Sequence, residues 1–184
     1  MIFHTKQSKI TKRKNHEHGI TAGFTMVETL VAISILLLAI VGPLTIASRS
    51  IVSAAFARDQ IVAFHLAREA VELVRNKRDS NTITNTNWTD GLNFCFSPGL
   101  CKVETTTGSF SVCVSGTCPV LNKNSTTGVY GYSSGGNWVP TPFTRDITIN
   151  NINVDEISVA VTVSWSTGVL SKNFTIRENF LNWQ

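Results

Sequence analysis

Beyond residue 18 this 184-residue chain contains a single histidine, His65, and only 15% of its residues are charged. One histidine on a helix face reads as a surface or packing residue, and it leaves no set of imidazoles for a metal site or a general base. Neither G-x-x-x-x-G-K nor G-x-G-x-x-G occurs, so no loop is built to cradle phosphate. Asp155-Glu156 is an acidic doublet without EF-hand spacing, which marks a solvated turn rather than a calcium loop. These absences argue against an enzyme and imply no catalytic residue, no metal and no cofactor.

Charge is also missing from one long stretch. From Thr29 to Ser48 twenty residues run without an ionisable side chain. Ahead of it, residues 1–23 hold Lys6, Lys9, Lys12, Arg13 and Lys14 against Glu17, which accounts for the chain's whole formal charge of +4. The remainder is neutral and gives no electrostatic footing for nucleic acid. An ordinary secretory signal keeps its apolar region before the cleavage point. Here the apolar region follows the Gly23-Phe24 junction, so a cut there leaves it on the mature chain. Twenty helical residues span about 30 Å, the depth of a bilayer's hydrocarbon core. The basic residues before it predict a cytoplasmic N-terminus and an exported remainder. Glu28 sits at the mouth of this segment, where an unpaired charge at full membrane depth costs about 3 kcal/mol or more. Gly42-Pro43 interrupts the apolar run and predicts a kink or local melting.

Residues 49–78 continue as an amphipathic helix, with Ile51, Ala55, Val62, Leu66, Ala70 and Leu73 forming its apolar stripe. Glu72, Arg75 and Asp79 stand at spacings suited to ion pairs along the helix. At Asp79 the composition turns to Asn, Ser and Thr, which predicts the helix end. In residues 79–184 the alternating runs 110–114, 143–150, 157–165 and 169–180 read as strands, the last two joined by a tight turn at Ser166-Thr167-Gly168. Residues 122–141 read as an irregular loop. Trp165, Phe180 and Trp183 are expected to pack the sheet. A long N-terminal helix followed by three to five antiparallel strands is an α+β fold, in which the helix lies on a β-sheet head.

Cys95, Cys101, Cys113 and Cys118 are the only cysteines and fall in one short window of the exported part. An even, clustered set in such a chain points to disulfides, whereas the spacings and the lack of nearby histidine fit zinc poorly. A hairpin turning near Thr107 would bring Cys101 opposite Cys113; sequential pairing of neighbours is equally open. Asn87-Trp-Thr, Asn124-Ser-Thr and Asn173-Phe-Thr match the N-glycosylation acceptor pattern, which an Asn- and Thr-rich head also produces by chance.

Gly23-Phe24-Thr25-x-x-Glu28, the uncharged run, the amphipathic helix and the β-rich head together resemble the type IV pilin and pseudopilin superfamily, most closely its minor pilins. The motif covers about residues 20–47, and 66–81 and 161–183 carry a weaker likeness. The resemblance implies a cytoplasmic leader at 1–23, a transmembrane assembly helix at 24–48, an amphipathic helix at 49–78 and a globular head at 79–184. It implies cleavage after Gly23 by a prepilin peptidase, N-methylation of Phe24, and pairing of Glu28 with the terminal amine of an adjacent subunit. The implied partners are that peptidase, other pilin subunits, the inner-membrane assembly machinery and the lipid bilayer. The implied product is a cell-surface filament. A pseudopilin of a type II secretion system, or an adhesive or DNA-binding module at a filament tip, are the alternatives.

Overall fold

The computed structural model describes residues 23–167 and 170–182. The basic leader, Gly168 of the expected turn and Trp183 lie outside the described residues. Among the described residues one α-helix, α1 (Met26–Ile83), precedes seven strands: β1 (Cys101–Val103), β2 (Phe110–Val112), β3 (Val120–Asn124), β4 (Tyr130–Gly131), β5 (Trp138–Asn153), β6 (Glu156–Thr167) and β7 (Leu170–Leu181). The α+β expectation holds: a long N-terminal helix packs with an antiparallel sheet. The chain divides into two compact units at Ser48 and Arg49.

Thr25 starts α1, its hydroxyl accepting from the Glu28 amide at 3.3 Å and its carbonyl from the Thr29 amide at 3.2 Å. The helix does not stop at Asp79 as composition predicts. It runs on to Ile83, where Asn85 takes a left-handed φ of 53°, and the Thr86 and Asn85 amides donate to the carbonyls of Asn81 and Thr82. Asparagine tolerates that conformation, and the paired amide bonds satisfy carbonyls the helix end leaves open.

β5 is the centre of the sheet. β6 lies along one side of it with β7 beyond; β1 with β2, and β3 with β4, share the other side. Strict alternation sends Phe143, Arg145, Ile147 and Ile149 of β5 inward, together with Ile157, Val159, Val161, Val163 and Trp165 of β6. Facing them, α1 buries Ala63, Leu66, Ala67, Ala70, Val71 and Val74. Each fully buried Val, Ile or Leu contributes about 1.5–3 kcal/mol. The buried stripe therefore differs from the expected one. Leu66 and Ala70 belong to both, but Val62 and Leu73 are half-buried and Ile51 is 71% exposed. The alanines allow close approach and so set the helix face that meets the sheet, while Phe56 is near Trp165 with ring centres 6.3 Å apart.

Two short 3₁₀ turns, Asn93–Cys95 and Val114–Gly116, flank the first hairpin. The hairpin near Thr107 forms, yet its register pairs Cys101 with Val112, while the Cys113 amide donates to the Leu100 carbonyl. That one-residue offset directs the sulfurs of Cys101 and Cys113 to opposite sides of the pleat. The disulfides are sequential, Cys95–Cys101 and Cys113–Cys118, each with Cα atoms 4.8 Å apart.

Candidate assembly site on the N-terminal helix

The stretch from Met26 into the middle of α1 is long and apolar enough to cross a membrane, and its side chains are exposed throughout. Gly23, Phe24 and Thr25 precede the helix, and Phe24 is 79% exposed. Within the stretch the hydroxyls serve their own helix. Thr29 donates to the Met26 carbonyl at 2.9 Å, Ser34 to Leu30 at 2.8 Å, Thr45 to Val41 at 2.9 Å and Ser48 to Leu44 at 2.9 Å. In hydrocarbon such internal bonds remove the cost of an unsatisfied polar group. The Glu28 carboxylate is different: among the described residues no side chain or amide pairs with it. α1 continues through Gly42 and Pro43. Pro43 still offers no amide to the Ala39 carbonyl.

The head treats its charges in the opposite way. Arg145 is fully buried on β5. Its Nη1 donates to the Leu66 carbonyl at 3.2 Å and to Glu69 Oε2 at 2.8 Å; its Nη2 donates to the Val103 carbonyl at 2.9 Å and Thr105 Oγ1 at 3.3 Å. One guanidinium thereby fastens α1, β1 and β5 together. Further along the helix, Arg75 pairs with Glu72 at 2.8 Å and with Glu178 of β7. Asp79 takes Arg78 at 2.6 Å rather than the expected Arg75. The Arg75 and Arg78 guanidinium carbons also lie 5.8 and 5.3 Å from the Phe180 ring centre.

His65 is exposed on α1 beside Phe64. Val154 and Asp155 form the β5–β6 turn and Glu156 opens β6; the Asp155 amide donates to Asn153 Oδ1 at 2.9 Å and Glu156 accepts from Asn153 and Asn179. No group of three or more metal-ligating side chains occurs among the described residues. A cleft of about 570 Å³ between α1 and β3–β5 brings together Asp59, Lys123, Tyr130 and Phe143, without a histidine or thiol. Burial raises the Tyr132 phenol above its ordinary value against the opposing pull of Arg145, and burial alone raises the Asp146 carboxyl.

Sequence reasoning reached Gly23, Phe24, Glu28, Gly42, Pro43 and the four cysteines, and missed the Arg145 node. The available signal was parity: Arg145 stands in step with Phe143, Ile147 and Ile149 on an alternating strand. Trp165 and Phe180 pack the core as expected, at 3% and 2% exposure. Comparison of this chain with known protein families, with curated proteins and with solved structures returned no match.

Proposed function

We propose that this chain is a structural subunit of a type IV pilin-like filament, most akin to a minor pilin. In this reading a prepilin peptidase cuts after Gly23, the new terminus at Phe24 is methylated, and the apolar half of α1 holds the subunit in the inner membrane. The basic leader stays cytoplasmic and the head lies outside. Glu28 then accepts the terminal amine of a neighbouring subunit, so that two charges that are costly in lipid neutralise one another and fix the axial register. The observation that carries the reading is the contrast inside one apolar stretch: its hydroxyls are satisfied by their own helix, while the Glu28 carboxylate has no partner among the described residues.

The reading is tested by Glu28→Ala in full-length protein. Membrane insertion should persist, because the substitution lowers the cost of burial. Incorporation into filaments, or cross-linking to neighbouring subunits, should fall sharply, since an unpaired buried amine costs about 3–5 kcal/mol. Unchanged incorporation would remove Glu28 from assembly.

A further inference from the structure

The three Asn-x-Ser/Thr triplets share a pattern but not a structure. Asn87 is exposed in the connection after α1, where its Oδ1 accepts from the Thr89 amide at 3.0 Å and the Thr89 hydroxyl at 2.9 Å. A backbone amide can only donate, so the atom facing it is the carboxamide oxygen and Nδ2 is turned away. Among the described residues Nδ2 of Asn87 has no hydrogen-bond partner. The connection is held from beneath by the buried Asn81, whose Nδ2 donates to the carbonyls of Trp88 at 3.2 Å and Asp90 at 2.8 Å.

The other two triplets are arranged differently. Asn124 is half-buried, its Oδ1 takes the amides of Thr126 and Thr127 at 2.9 and 3.0 Å, and the Thr126 hydroxyl accepts from Asn137 at 2.9 Å. Asn173 lies within β7, paired with Ser164 of β6, and the Thr175 hydroxyl is bonded to Thr162 at 2.9 Å. Only at Asn87 does the hydroxyl of the third residue face the carboxamide, in a turn outside the sheet.

We infer that Asn87 is an acceptor site for an N-linked glycan, and that Asn124 and Asn173 are not acceptors in the folded head. The inference rests on the proposed export of the head, because a transferase must reach it there. The donor is a lipid-diphosphate-linked sugar. Asn87 Nδ2 attacks the anomeric carbon, an N–C bond forms, and the C–O bond to the diphosphate breaks. The lipid diphosphate leaves with the electron pair, and Nδ2 gives one proton to a base on the transferase. The two Thr89 donors on Oδ1 stabilise the negative charge that develops on the carboxamide oxygen as that proton leaves.

Full-length protein in detergent micelles, incubated with a purified oligosaccharyltransferase of Asn-x-Ser/Thr specificity and a lipid-diphosphate-linked oligosaccharide, tests the assignment by peptide mass mapping. The Asn87 peptide should gain the oligosaccharide mass while the Asn124 and Asn173 peptides keep theirs. After reduction and denaturation, modification should spread to the other two sites. Asn87→Gln should leave the folded chain unmodified. An unmodified Asn87 in the folded chain, or equal occupancy at Asn124 or Asn173, would overturn the inference. The assay supplies its own transferase, so it succeeds or fails independently of cleavage at Gly23 and of filament assembly.

Discussion

Glu28 and Glu69 stand on the same helix and meet opposite fates. The Glu69 carboxylate receives Arg145 at 2.8 Å and the Thr105 hydroxyl at 3.4 Å, whereas Glu28 has no partner among the described residues. The contrast extends to the two regions around them. Between residues 49 and 184, α1 buries an alanine-rich stripe on the sheet, and the inward-facing guanidinium of Arg145 has four oxygen acceptors. Between residues 26 and 48 every side chain of the helix is exposed. Under the proposed function, an apolar helix whose side chains are exposed is what a subunit needs when its N-terminal contacts come from lipid and from other molecules.

The strongest way to break this contrast is to unbalance the head. Arg145→Ala leaves Glu69 and two backbone carbonyls without their cation and should cost about 3–5 kcal/mol. Arg145→Met fills the space but also strands Glu69, which is 37% exposed on its side chain and can rehydrate, so its loss should be smaller. Urea unfolding of the full chain in micelles, followed by tryptophan fluorescence, measures both. Equal stability of wild type and Arg145→Ala would show that the node does not hold helix and sheet together.

The two disulfides give a finer comparison. Both close short loops, with sequence separations of 6 and 5, so their entropic contributions are similar. Their burial differs: Cys95 and Cys101 are wholly inside the core, while Cys113 and Cys118 close a loop beside the edge strand β2. Paired Cys→Ala replacement at 95 and 101 should cost about 2–4 kcal/mol, and the same change at 113 and 118 less. The reverse order, read from the same unfolding curves, would shift the weight of the fold toward the β2 edge.

The smallest expected effect tests a charge that the head does not pair. Burial raises the folded-state pKa of Asp146, so the protonated carboxyl favours the fold. Its contribution is fully present below the unfolded-state value and is lost as pH rises through the folded one. At neutral pH the ionised group is a cost, so Asp146→Asn should be slightly more stable than wild type at pH 7. That advantage should shrink as pH falls through the raised pKa. A stability difference independent of pH would remove titration of Asp146 as its cause.

The head's long strands were legible because alternation is strict in 143–150 and 157–165, and one face of each is buried. β1, β3 and β4 are too short to show a period, and their positions follow from pairing with distant strands. Pro140 disguised the start of β5 inside the expected loop of 122–141, and Pro142 follows just beyond it. They are tolerated because this part of β5 pairs with β3, while β6 pairing begins only at Phe143. Arg145 was hidden for another reason: a basic residue on an alternating strand is ordinarily turned to water, and its acidic partner lies on the helix, 76 residues earlier. Cysteine pairing depended on a one-residue register that composition does not carry. Glu28 was legible because its neighbours are so uniformly apolar.

The central claim is that residues 23–28 form a processing and assembly junction. Intact mass spectrometry of the protein purified from membranes tests it most directly. The account predicts a chain that begins at Phe24, carries one added methyl group on its terminal nitrogen and has all four cysteines oxidised. A chain that retains residues 1–23, or one cut at any other bond, would contradict it.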